Sequence, residues 1–170
     1  FQDQIREFLA ENRSFDIDIR ISDETDAILD TGGGLKKAAP LLAGNEPILV
    51  HNVDILSNLD LNKLLEFHLS HESLVTLVVR RRKTDRNFLF DQHMRLTGWI
   101  NTKTGEIIEP VPGINLYPEM FAFSGMQIIS PQFLEVMDGS GKFSLIDTYL
   151  QLAPDYRIIG YEDCSSLWMD

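Results

Sequence analysis

The sequence predicts an α/β fold, a mixed sheet flanked by helices with a small β meander, in a single domain. Three observations carry that prediction. Stretches with helical period and stretches with β character alternate along the 170 residues, the cadence of βαβ units. Two short apolar runs, residues 47–53 and 74–79, read as buried strands, the first of them buried on both faces. After Asn87 the texture changes to short β pieces split by turn residues, which reads as a meander rather than a further βα unit.

Residues 2–12 place Ile5, Phe8 and Leu9 on one side of an amphipathic helix. FDIDIRIS (15–22) alternates strictly, with Phe15, Ile17, Ile19 and Ile21 on one face, and predicts a half-wet strand near a sheet edge. Ile28-Leu29 leads into three consecutive glycines and a helix over 35–42, bent by Pro40 and closed by Gly44-Asn45. Asp60 starts a helix whose stripe is Leu61, Leu64, Leu65 and Leu69. Short β pieces at 88–90, 95–100 and 106–108 form the meander, and Pro110, Pro112, Gly113 and Pro118 mark a loop expected to move. Residues 120–129 form a strand in which Gly125 marks a bulge or a close approach to a ligand. Helices follow at 130–136 and 144–153, then β runs at 156–161 and 167–169. Trp99 and Trp168 are assigned to the core, and His68 and His71 to the surface.

Composition narrows the function. The hydrophobic content of 44% is that of a globular chain, and no apolar run approaches the ~20 residues of a membrane span. A formal net charge of −11 argues against nucleic acid as a partner, since that binding rests on Lys and Arg neutralising phosphates. The one cysteine, Cys164, makes no internal disulfide; a buried, inert thiol in a reducing cytoplasm is expected. The chain starts at Phe1 on an apparent helical turn and ends at Asp170 directly after a β run, the pattern of a fragment lacking neighbours on both sides.

The segment from Asp30 to Asp54 concentrates the candidate chemistry. Its glycines match neither a P-loop nor a dinucleotide fingerprint, but they let backbone approach a ligand without Cβ atoms in the way. A tight turn into a helix explains them equally well. Asp54 follows a strand, where a lone carboxylate needs a partner or a metal. With Asp170, also placed after a β run, it makes a pair of the kind that holds Mg²⁺ together with substrate phosphates. The basic run from Arg80 to Lys83 reads as a solvated strand end.

Four pieces in order, LDTGGGLKKAAPLL, ILVHNVDI, FAFSGMQIISPQFLE and LWMD, resemble the sugar-1-phosphate nucleotidyltransferase family. The similarity is greatest to the branch of mannose-1-phosphate guanylyltransferases and N-acetylmuramate-1-phosphate uridylyltransferases. The resemblance covers nearly the whole chain and implies a Rossmann-like sheet. It also implies that Thr31, Gly32 and Gly33 lie along the nucleobase and ribose, that Asp54 and Asp170 are catalytic and bind Mg²⁺, and that the sugar rests against Ser124 and Gly125. The implied reaction is attack of a sugar-1-phosphate oxygen on the α-phosphorus of UTP or GTP, with release of pyrophosphate.

Three departures set this chain apart from that family. The family's amino-terminal strand and glycine-rich loop, which grip the triphosphate, would precede Phe1. Val53 stands where a glycine usually precedes the metal aspartate. Phe143-Ser144-Leu145 stands where relatives have a Phe-Lys-Leu-like piece. These departures predict little activity for the 170 residues alone, and they leave a non-catalytic nucleotide-sugar binding module as the alternative. A glycosyltransferase ranks last, for want of a paired-acid motif at Asp54.

Overall fold

A computed structural model describes residues 2–42, 44–110 and 118–170. Pro112 and Gly113, read above as part of a mobile loop, lie outside the described residues. The chain divides into two compact units: the described residues up to 42 with Gly139–Leu145, and Gly44–Asp138 with Ile146–Asp170. No helix among the described residues is long and apolar enough to cross a membrane.

The smaller unit is helical. Helix α1 (Gln2–Glu11) leads into a 3₁₀ turn at Arg13–Asp16, and α2 (Asp30–Ala38) runs into a second 3₁₀ turn at Ala39–Leu42. The predicted strand at 15–22 is absent. Arg13 to Asp16 all have positive φ, from 49° to 57°, and no strand pairs with the residues that follow. Alternation marks what a strand would bury, but a strand also needs a neighbour for its N–H and C=O groups. Phe15 and Ile17 accordingly remain 53% and 65% exposed. The second difference is at the glycines. They lie inside α2, not before it, and Pro40 falls in the 3₁₀ turn, where helix-type backbone ends.

The larger unit holds the sheet. Its elements are β1 (Ile48–His51), β2 (Leu56–Ser57), α3 (Leu61–Ser70), β3 (Val75–Arg80), β4 (Arg86–Phe90), β5 (Leu96–Asn101), β6 (Glu106–Ile108), β7 (Glu119–Ile129), α4 (Pro131–Val136), α5 (Leu145–Leu152, from its second residue), β8 (Ile158–Glu162) and β9 (Trp168–Met169). The order β6-β5-β4-β7-β3-β8, with β1 also on β7, makes a seven-stranded mixed sheet, and β2 pairs with β9 in a separate ribbon. This is the predicted fold class. The meander β4-β5-β6 joins the same sheet through β4 and β7.

The strand buried on both faces is β3, not β1. β3 lies between antiparallel β7 and parallel β8, and its first five residues are buried. β1 pairs only with β7 among the described residues, and its exposure alternates, with Leu49 40% exposed. A strand's apolar run is therefore no guide to which of its faces is covered. Leu64 of α3 packs on Val78, Met126 and Ile128 to form the core on one side of β3 and β7. Phe88, Phe90, Phe121 and Phe123 meet edge to face across β4 and β7.

Asp60 caps α3, accepting from the N–H groups of Asn62 and Lys63 at 3.1 and 3.2 Å. At the other end of α3, His68 is not a surface residue: it is 2% exposed. Its Nε2 lies 3.1 Å from Ser130 Oγ, and Ser130 Oγ donates to Ser73 O at 2.8 Å. With its own hydrogen committed there, Ser130 Oγ accepts from Nε2–H. Nδ1 is then the acceptor facing Thr76 Oγ1 at 2.9 Å. A neutral imidazole thus ties α3 to β3 and to the start of α4, and burial pushes its pKa down to about 4.

Candidate functional site

The site is built around an irregularity in β7. Leu77 pairs with Gln127 and Val79 with Phe123, so two steps along β3 face four along β7. The additional length is a bulge, as the isolated glycine predicts. Gly125 has φ +76°, and a Cβ there would lie 2.7 Å from Ile55 Cγ1 and 3.3 Å from Asn52, so the close approach is by the chain's own Asn52–Ile55 turn.

The three carbonyls of the bulge are each engaged by a different element. Gly125 O accepts from Asn52 N–H at 2.8 Å, Ser124 O from Trp168 Nε1 at 2.9 Å, and Phe123 O from Arg82 at 3.4 Å. Ser124 itself is fully buried, and its Oγ has no hydrogen-bond partner among the described residues. A bulge frees backbone groups from ladder pairing, and here the freed groups fasten the turn after β1 and the indole of β9. That turn carries Val53 and Asp54, both exposed, Val53 completely so.

The ribbon of β2 and β9 brings the far end of the chain to this turn. Leu56 pairs with Met169 and Ser57 with Trp168. Asn58 N–H donates to Leu167 O at 3.4 Å, extending the ladder, and Leu167 N–H donates to the Asn58 side chain at 2.7 Å. Continued one residue the other way, the register sets Asp170 opposite Ile55, next to Asp54 in sequence. Both carboxylates are exposed. Two hard oxygen donors of this kind suit Mg²⁺, which keeps several waters and takes few protein ligands. No group of three or more His, Cys, Asp or Glu side chains is arranged for a metal among the described residues, so the donor set does not suit a closed zinc site.

Beside the bulge, Arg80 and Asp163 form an ion pair at 2.8 Å in which Asp163 is 2% exposed and Arg80 16%. Burial works against the Asp163 carboxylate. Ser166 Oγ, the N–H groups of Ser166 and Ser165, and Arg80 outweigh it, so the carboxyl sits below the usual range. Arg80 and Arg82 both lie over the Trp168 ring, 5.5 and 4.7 Å from its centroid. The sequence reading missed this arrangement. Arg80 is not a solvated strand end, and Cys164 is exposed rather than buried. Trp168 packs against the core as expected, and it also carries two cations. The available signal was a basic run starting at the end of an all-apolar strand, where the first charged side chain still lies partly inside.

The smaller unit contains the remaining predicted residues. Gly32 and Gly33 are buried, and their N–H groups both point to Phe143 O, at 2.9 and 3.3 Å. A Cβ on Gly32 would lie 2.4 Å from the Phe143 ring, and one on Gly33 2.2 Å from Gly141 O. Thr31 Oγ1 accepts from Leu145 N–H at 3.0 Å. These glycines allow α2 to pack closely on the 139–145 segment. Lys36 adds a bond to Gly139 O at 2.8 Å.

Comparison with known proteins agrees with this architecture. No family model matches the chain. A mannose-1-phosphate guanyltransferase of Gibberella zeae is 40% identical over 79 residues, 45% of this chain and 21% of that protein. The chain thus spans about a fifth of the length of that curated relative. Among solved structures, HddC from Yersinia pseudotuberculosis superposes with a TM-score of 0.70 at 19% identity, covering 99% of this chain and 68% of that one. A putative glucose-1-phosphate thymidylyltransferase from Bacillus anthracis, in complex with sucrose, gives 0.65 at 14% identity, covering 99% and 65%. At these identities the structures show the fold. Together with the partial relative they bear out the resemblance to sugar-1-phosphate nucleotidyltransferases.

Proposed function

We propose that this chain carries the sugar and metal part of a nucleotidyltransferase that joins a sugar-1-phosphate to a nucleoside triphosphate, UTP or GTP, and releases pyrophosphate. The observation that supports the reading is the β2–β9 register, whose continuation by one residue brings Asp170 opposite Ile55, the residue after Asp54. Asp54 and Asp170 would hold Mg²⁺, whose contribution is to neutralise charge on the phosphates. The sugar would rest against Ser124 and Gly125 of β7. In the smaller unit, Thr31, Gly32 and Gly33 would contact nucleobase and ribose from the exposed Thr31 end, since Phe143 covers the glycines. An exposed, unpaired Cys164 accords with a cytoplasmic location.

We also infer that the 170 residues alone turn over little, since the chain spans a small part of its curated relative. Binding is therefore the better test. Thermal unfolding of the chain is expected to shift upward with UDP- or GDP-sugars only when Mg²⁺ is present, and Asp54→Asn and Asp170→Asn are each expected to abolish the shift. A shift equal in both variants, or none with any nucleotide sugar, would sink the proposal.

A second reading is a non-catalytic nucleotide-sugar binding module. Val53 favours it: a β-branched side chain, completely exposed, directly precedes Asp54 where a ligand must approach. Mg²⁺-dependent binding without pyrophosphate release puts this reading ahead. Pyrophosphate release by the wild-type chain establishes the enzyme and overturns the inference of low turnover.

A further inference from the structure

β3 and β8 run parallel, and their carboxyl ends open on a cavity of about 430 Å³ lined by Arg80, Arg81, Arg82, Glu162, Asp163 and Trp168 among others. Ligand sites of α/β sheets form outside strand carboxyl ends. Three consecutive arginines here stand out in a chain whose formal net charge is −11.

Two of the three are matched by carboxylates. Arg80 pairs with Asp163, while Arg81 pairs with Glu119 and, at 3.0 Å, with Glu162. Arg82 has no carboxylate partner among the described residues. Its long hydrogen bond to Phe123 O and its stacking on Trp168 position the guanidinium and leave most of its N–H fork unspent. The platform is itself fixed, because Trp168 Nε1 donates to Ser124 O. Arg80 is spent on Asp163 and Ser166 O, and its Nε is enclosed with no hydrogen-bond partner among the described residues, so the free donors of the cavity are those of Arg82.

We propose that this cavity binds a phosphoryl group, free or carried by a small molecule, in the fork of Arg82. Two phosphoryl oxygens can meet the fork together, and the guanidinium stacked on a fixed indole is organised before the anion arrives. The test requires neither turnover nor metal, so it succeeds or fails separately from the proposed function.

The chain has two tryptophans, so the indole N–H resonance of Trp168 is assigned by comparison with Trp99→Phe and followed by NMR. Titrations use inorganic phosphate, a hexose monophosphate and acetate. The expected result is a saturable shift of the Trp168 resonance with a phosphate ligand. Saturation by inorganic phosphate means that the anion suffices; saturation by the hexose monophosphate alone means that the group arrives on a sugar. Affinity is expected to fall about tenfold or more in Arg82→Gln, less in Arg82→Lys, and not at all in Arg86→Gln. Arg82 is exposed, so its variants are expected to keep the amide spectrum elsewhere. No saturable shift with either phosphate ligand, an equal response to acetate, or binding unchanged in Arg82→Gln would overturn the proposal.

Discussion

In the larger unit a charged pair, Arg80–Asp163, is carried inside, whereas the ion pairs described in the smaller unit stay in water. Arg6–Asp23, Arg13–Asp16 and Arg20–Asp18 have side chains between 46% and 83% exposed. The same contrast holds for apolar residues. The larger unit closes over Leu64, Val78 and Phe133, while in the smaller one Ile5, Phe8 and Phe15 are each more than half exposed. A sheet gives each strand two edges and two faces to cover, so it can bury polar groups among many partners. Two short helices with two 3₁₀ turns offer a stripe each and little else. Charge should therefore carry structural weight in one unit and almost none in the other.

The largest effect is expected at Asp163. Replacing it with Ala leaves Arg80 charged and mostly buried, and frees the N–H groups of Ser165 and Ser166. A loss of about 3–5 kcal/mol in urea unfolding is expected, the range for breaking a buried pair from one side. Arg80→Met with Asp163→Leu should recover much of it, because no orphaned charge remains. A loss below about 1 kcal/mol for the single variant would put this pair on the footing of surface pairs and dissolve the contrast.

Next in size is the acid response of His68. Its folded pKa is depressed to about 4 against an ordinary value of 6.5, so the unfolded chain binds more protons between those values. The stabilisation is complete above pH 6.5 and is lost as pH falls toward 4. Unfolding at pH 5 should show about 2 kcal/mol less stability from this group than at pH 7, by linkage. His68→Leu should flatten that part of the profile, whatever it does at pH 7. A profile as steep as that of the wild type would mean that the imidazole is not held neutral by its Thr76 and Ser130 contacts.

Two glycines sharpen the comparison further. Gly125→Ala meets a positive φ as well as the Asn52–Ile55 turn, and a loss of about 2 kcal/mol is expected. Hydrogen exchange should then report loss of protection at Asn52 N–H, which bonds Gly125 O. Gly33→Ala has ordinary helical backbone but drives a Cβ toward Gly141 O, so its expected loss, about 1–2 kcal/mol, should appear as faster exchange at Gly32 and Gly33 alone. Exchange spreading across β3 in the second variant would show that the two units do not respond separately.

These residues also show how much was legible beforehand. The apolar run at 74–79, the Asp60 cap and the glycine in β7 were readable because each is a local signal with a local cause. FDIDIRIS misled because its period describes one face, and the sequence cannot state that no neighbouring strand accepts it. The helical state of Gly32 and Gly33 was hidden for a related reason: their intrinsic preference is overridden by packing against Phe143, more than a hundred residues away in sequence. His68 and Arg80 were misplaced because polar residues are assigned to water by default, and only long-range partners reverse that. For the candidate site, spacing and the resemblance together pointed to Asp54, Asp170 and the bulge, whereas the stacked arginines followed from no motif.

The smallest effect is expected at Arg6. Its guanidinium lies 3.3 Å from Asp23, with half of each side chain in water. Holding two flexible side chains in one geometry offsets most of the Coulomb gain in a high dielectric, so Arg6→Ala should change stability by about 0.5 kcal/mol or less. The change should vanish in 1 M salt, where the Debye length of about 3 Å screens exposed charges. Asp163→Ala should keep most of its effect at the same salt, because its partner is shielded from solvent and ions. Parallel salt titrations of the two variants are thus the most direct measure of the difference between the units. A salt-insensitive loss above about 1 kcal/mol at Arg6 would mean that the Arg6–Asp23 contact is sheltered from solvent, and the smaller unit would then also use charge to hold its fold.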